Sequence, residues 1–131
     1  MKPLTVEEVL YLHYRITQKI GGRQGVRALS LLQRALERPC TTVGGRELYP
    51  VPFEKAAVLL TGILAGKPFY DNNAPTAFAA ALLLLDRFGL RVQSAMGLVE
   101  MIAAAGKGDW RTVAAWLRGR SRPKEGPAAA L

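Results

Sequence analysis

Residues 67–89 read KPFYDNNAPTAFAAALLLLDRFG. The stretch opens on a polar turn, Asp71-Asn72-Asn73, restarts at Ala74-Pro75 and is then apolar from Ala77 to Leu85. Asp and Asn are good N-cap residues because a short side-chain oxygen accepts from the unpaired N–H groups of a first helical turn. Pro is tolerated in that turn because its missing N–H would be unpaired in any case. The pattern therefore predicts a helix beginning beside Pro75 and closed by Gly89, apolar on nearly every side and hence the central helix of an all-α fold. Its apolar run falls well below the ~20 residues that a membrane span needs.

A helix start also gathers unpaired N–H groups at the positive end of the helix dipole, which suits a phosphate, and Asp71 beside it suits a hard cation such as magnesium. Residue chemistry alone leaves two readings open: a well-made cap for a buried helix, or a site for a nucleotide triphosphate.

The surrounding composition agrees with a helical domain. Half of the 131 residues are apolar, Ala and Leu lead them, and β-branched residues do not form alternating runs. The length predicts one core and one domain. Thr5 and Glu8 form a capping-box pattern, and Val6, Val9, Leu10, His13, Ile16 and Ile20 follow at helical spacing until Gly21-Gly22. His13 lies on that apolar stripe, which predicts a packed, hydrogen-bonded core histidine. A second helix, LSLLQRALERP, ends at Pro39. CTTVGGRELYPVP, rich in Gly and Pro, predicts an exposed flap with a short extended segment or hairpin at Gly44-Gly45. A third helix runs from Phe53 or Glu54 to Gly66, and two more follow the central one, with Ser94 and Asp109 as N-caps and Gly106 and Gly119 as stops. Trp110 and Trp116 are expected at core edges.

Six helices over residues 1–119 form the expected domain, and residues 120–131 a basic, disordered tail. The net charge of +8 draws an acidic partner: an acidic protein, nucleotide phosphates or nucleic acid. The single Cys40 excludes an intrachain disulfide. No apolar signal-peptide core follows Met1, and a cytoplasmic location is the expectation.

From LTVEEVLYLHYRI through GGRQGVRALSLLQRALERP, ELYPVPFEKAAVLLTGIL and KPFYDNNAPTAFAAALLLLDRFGL to AAAGKGDWRTVAAWLR, the chain resembles the Fic/Doc family, and most closely its short Doc (death-on-curing) toxin branch. The likeness covers roughly residues 4–118 in several separated blocks. It implies a signature HxFx(D/N)(G/A)NKRTA between two central helices and transfer of part of a nucleotide to a protein hydroxyl. Fic enzymes generally add AMP; Doc is a kinase of elongation factor Tu and is neutralised by an antitoxin. The family's His is the base, its acidic residue holds magnesium, and its Asn, Lys, Arg and helix-start N–H groups grip phosphates.

Against that signature, Phe69, Asp71, Asn73, Thr76 and Ala77 match, whereas Lys67 stands at the His position, Asn72 at Gly/Ala, Ala74 at Lys and Pro75 at Arg. The resemblance implies Asp71 as metal ligand, Asn73, Thr76, Asn72 and Lys67 as contacts to ATP or another nucleotide with Mg2+, and Lys67 at the catalytic position without the properties of a base. An unperturbed lysine has a pKa of about 10.4, so about one in a few thousand is neutral near pH 7. Losing a general base costs ~10² to 10⁴ in rate. Charge-assisted hydrogen bonds contribute roughly 1.5 to 3 kcal/mol each, so losing two cations weakens phosphate binding by several kcal/mol.

Ala28 follows Arg27 where Doc proteins carry an acid, while Gly25 and Arg27 remain. The expected function is a catalytically degenerate Doc-like protein that binds a small antitoxin and, weakly, a nucleotide. One alternative is an active transferase modifying a protein hydroxyl, with a translation factor as target. The other, ranked last, is a basic nucleic-acid-binding module, which requires a coherent positive face.

Overall fold

A computed structural model describes residues 3–124. Six α-helices carry the fold: α1 Val6–Ile20, α2 Leu29–Glu37, α3 Pro52–Gly66, α4 Asn73–Arg87, α5 Leu98–Gly106 and α6 Trp110–Arg120. Two small antiparallel ribbons accompany them, β1 Thr42–Val43 with β2 Arg46–Glu47, and β3 Leu90–Val92 with β4 Ser121–Pro123. The all-α, six-helix expectation holds. Among the described residues no helix is long and apolar enough to cross a membrane.

The local signals act as their chemistry requires. Thr5 Oγ1 accepts from the Glu8 N–H at 3.1 Å while Glu8 Oε1 accepts from the Thr5 N–H at 2.9 Å, so two unpaired donors of α1 satisfy each other's side chains. Asp109 Oδ1 accepts from the Thr112 N–H and starts α6. Gly44 and Gly45 both have positive φ, which a two-residue hairpin turn between β1 and β2 needs. His13 is buried and lies flat against Phe69, ring centroids 3.9 Å apart.

The central helix is α3, and not α4 as its apolar run suggested. Every residue from Lys55 to Thr61 is buried, and α3 packs against α2, α4, α5 and α6. Gly62 brings α2 close, since a Cβ there would meet the Ala35 Cβ at 3.1 Å. In α4 only the stripe Thr76, Ala77, Ala80, Ala81, Leu84 and Leu85 is buried, and Phe78, Leu82 and Leu83 are half covered. Lys55 disguised the true centre. Its ammonium is buried yet satisfied, donating to Pro39 O at 3.1 Å and pairing with Glu47 Oε1 of the β1–β2 hairpin at 2.8 Å. A buried charge persists only when paired in this way.

Three further expectations are corrected. Ser94 does not cap α5; its Oγ accepts from the Met96 N–H, and Gly97, with φ +80, is the cap residue. Gly119 lies inside α6. The tail expected from residue 120 is folded at its start, because β4 pairs with β3 and Lys124 N–H donates to Gly89 O. Period-two pairing of three residues is too short to register as a pattern. Residues 125–131 of that tail lie outside the described residues.

Arg87 at the end of α4 ties the N-terminal segment and α1 to the bundle. It pairs with Glu8 and donates to Pro3 O at 2.7 Å. The Arg87 guanidinium, then the Thr5 backbone N–H, hold the Glu8 carboxyl down from 4.5 to about 2. A depressed carboxylate contributes stability that is complete above its unfolded pKa and is lost as pH falls through the folded one. Both side chains are partly exposed, so screening reduces the contribution to about 1 kcal/mol. Urea midpoints should therefore fall between pH 4.5 and 2 more steeply in the wild type than in Glu8→Gln, and parallel curves for the two would contradict this.

Candidate functional site

The polar turn joins α3 to α4. Its ends are Lys67, with φ +48, and Asn72, with φ +62, the non-glycine residues of positive φ among those described. Two left-handed residues reverse the chain in six positions, and Asn accepts that region more readily than most side chains. Between them Phe69 is 1% exposed beneath His13, so the turn is anchored in the core.

The loop between α1 and α2 is laced along the turn. Val26 forms an antiparallel bridge with Phe69, the Arg27 and Ala28 N–H groups donate to Pro68 O at 2.6 and 3.0 Å, and the Tyr70 N–H reaches Gly25 O. The Arg27 guanidinium donates to Lys67 O and Gly66 O, both at 2.8 Å. Those are carbonyls at the end of α3 that no helical N–H satisfies, and a cation is favoured at that negative dipole end. Ala28, at the position where Doc proteins usually carry an acid, has no polar side chain with which to join this lacing.

Several other polar atoms of the turn bond to the scaffold, although Asp71 itself is exposed. His13 Nε2–H donates to Asp71 O at 2.8 Å, which assigns the ring's tautomer. Asp71 Oδ2 accepts from the Arg23 N–H at 2.6 Å. Asn72 Nδ2 donates to Thr17 Oγ1 at 3.0 Å and to Gly21 O at 2.8 Å. Asn73 grips Phe69 at both ends, Oδ1 accepting from its N–H and Nδ2 donating to its carbonyl, each at 3.0 Å. Gly22 admits this packing, since a Cβ there would stand 2.9 Å from Asn72 Nδ2, and its φ is +112.

The five site residues drawn from the sequence thus have different surroundings. Asp71, Asn72 and Asn73 come together at the start of α4, each holding a backbone group. Thr76 lies one turn deeper, with no exposed surface and no partner for its Oγ1. Lys67 is exposed, and its ammonium forms no hydrogen bond or ion pair among the described residues. No group of three or more His, Cys, Asp or Glu able to hold a metal occurs among the described residues. Ala74 and Pro75, at the two cation positions, line an apolar groove of about 350 Å³ with Phe78, Ala79, Leu82, Leu98 and Ile102. Where a triphosphate would meet two cations, this surface presents hydrocarbon, and Pro75 removes one N–H from the helix start.

Sequence reading missed the bond from His13 to Asp71 O and the capping of α3 by Arg27. Spacing carries no signal for either, because the partners are 58 and 40 residues apart.

Asn72→Ala loses two hydrogen bonds of about 1 kcal/mol each and places a Cβ-bearing residue without local hydrogen bonding in the left-handed region, at ~1 kcal/mol more. Asn72→Gly loses the bonds but accepts the backbone. Denaturant unfolding should rank wild type above Asn72→Gly above Asn72→Ala, with the two variants about 1 kcal/mol apart; the reverse order would show that residue 72 is not held at positive φ.

Comparison with known proteins agrees with this architecture. The family described as Fic/DOC matches residues 3–85. A protein named Toxin Doc from Mycolicibacterium smegmatis is 39% identical over 72 residues, 55% of this chain and 55% of that protein. The protein named Protein kinase doc from Escherichia phage P1 is 28% identical over 109 residues, 83% of this chain and 86% of that protein. The chain therefore spans about half the length of the mycolicibacterial relative and most of the phage one. With a family match over more than half of its residues and a motif turn held between α3 and α4, the chain belongs to the Fic/DOC family.

Proposed function

We propose that this chain is a Doc-like protein that acts by binding and not by group transfer, with a small antitoxin-like protein as its partner and little affinity for nucleotide. The observation that carries the reading is the fate of the motif's polar atoms. The Asn72 and Asn73 amides and one Asp71 oxygen are hydrogen-bonded within the fold, and the two positions that carry cations in the signature line an apolar groove. A nucleotide would have to displace these bonds, each displacement leaving a polar group of the scaffold unsatisfied at a cost of ~1 to 3 kcal/mol. Residues engaged in this way offer ATP and magnesium no ready cradle. The net charge of +8 suits an acidic partner, and an apolar groove beside the motif suits the apolar face of a partner segment.

Incubation of the purified protein with radiolabelled ATP, magnesium and elongation factor Tu should transfer no label, and Lys67→Ala should change nothing. Robust transfer abolished by Lys67→Ala would overturn the reading. A second reading, a transferase of altered chemistry, is favoured by the free ammonium of Lys67 beside the exposed Asp71. Growth arrest on expression, relieved by Asp71→Ala, would favour it, and harmless overexpression would remove it.

A further inference from the structure

Cations without an ion pair among the described residues occur at several places on the surface, Arg46, Arg118 and Arg122 among them, but one cluster of them is set among exposed tyrosines. At the opposite end, cations are matched with acids: Arg87 with Glu8, Lys55 with Glu47, and Lys124 and Arg91 with Asp86. Along the outer side of α1 and the loop that follows it, Arg15, Lys19 and Arg23 form no ion pair among the described residues.

Exposed aromatic rings sit among these cations. Tyr11 is 57% exposed, Tyr14 49% and Tyr70 42%. Tyr11 and Tyr14 are three positions apart on α1, hence neighbours on its surface. The Tyr14 carbonyl accepts from Gln24 Nε2 at 3.1 Å, and the next residue, Gly25, lies against the Tyr70 ring, so the loop after α1 links the backbone at Tyr14 to Tyr70. The guanidiniums are braced on these tyrosines. Arg15 Nη1 donates to Tyr11 OH at 2.7 Å, and the Arg23 guanidinium lies 3.7 Å from the centre of the Tyr70 ring. The nearby acids are Glu7 and Glu8, within one turn before Tyr11, the second already paired with Arg87, and Asp71, one of whose oxygens is taken by the Arg23 N–H.

We propose that this face binds single-stranded nucleic acid. Phosphates spaced along a flexible strand satisfy the unpaired guanidiniums and ammonium, and unstacked bases lie on the tyrosine rings. Such alternation of positive charge and aromatic surface binds strands with little sequence preference. An acidic peptide matches the charge but brings no flat partner for the rings. Bracing by tyrosine reduces the side-chain entropy that each arginine loses on binding.

The test is fluorescence anisotropy of the full chain with a fluorescein-labelled oligodeoxythymidine and with the corresponding oligouridine, over a salt series. Three phosphate contacts predict a log–log salt slope of about −2, and Arg15→Gln with Arg23→Gln should flatten it by about 1.4. Tyr14→Ala, at an exposed position, should weaken binding by ~5- to 100-fold with the slope unchanged. Tyr14→Phe should retain binding, and thermal melts of the variants confirm that they are folded. Absence of binding at low salt, binding indifferent to Tyr14→Ala, or competition by polyglutamate as strong as by unlabelled oligonucleotide would overturn the proposal, the last in favour of an acidic protein.

Discussion

The lacing of residues 25–28 against the turn at 66–70 is the contact on which the rest of this molecule depends. Helix α3 ends with carbonyls that no helical N–H satisfies, and Arg27 supplies the donors they lack. The same segment donates two N–H groups to Pro68 O, so a single stretch of chain closes one helix and sets the direction of the next. Because α4 leaves this turn at a fixed angle, its small-residue stripe, Ala77, Ala80 and Ala81, meets α3 closely, and Arg87 at its far end arrives beside Glu8.

That architecture explains the character of the motif. A helix start between two buried helices can bind an anion or can be used to hold the chain, and each donor serves one role at a time. Here Asn72 reaches back to α1 through Thr17 and Gly21, Asn73 clasps Phe69, and Asp71 fastens the glycine loop through Arg23. With a Gly or Ala at residue 72, the bonds to Thr17 and Gly21 would be absent. Asn72 therefore reads as a residue that strengthens the scaffold at the place where the family's signature keeps the backbone bare. The replacement of both cations by Ala74 and Pro75 lets the neighbouring groove be lined by hydrocarbon without burying an unpaired charge.

The hairpin after α2 is tied into the same design by one buried charge. Lys55 sits in the most enclosed helix of the fold and is kept there by Glu47 on β2 and by Pro39 O. The pairing positions an otherwise exposed ribbon against the core. It also explains why hydropathy misplaced the centre of the molecule: a lysine reads as surface until its partner is known, whereas the leucines of α4 read as core although Leu82 and Leu83 remain half covered.

What the sequence determined by itself is the set of helices, the side-chain caps at Thr5 and Asp109 and the family, because capping boxes, glycine stops and 3.6-residue periodicity act over a few neighbouring residues. Thr5, Asp109, the Gly44-Gly45 turn and the buried His13 could all be read this way. The turn before α4 departs from its expected cap, since Asn72 is the cap residue but its side chain accepts from no N–H of the helix. The tertiary structure alone decided that α3 is the hub, that β3 and β4 pair, and that the Asn72 and Asn73 amides of the turn bond to the scaffold. The partners in those contacts lie far away along the chain, up to 58 residues for His13 and Asp71, and a hydrogen bond between such residues depends on how whole helices pack. Residue type announces that Asp71, Asn72 and Asn73 can donate or accept; only the packed chain settles with whom.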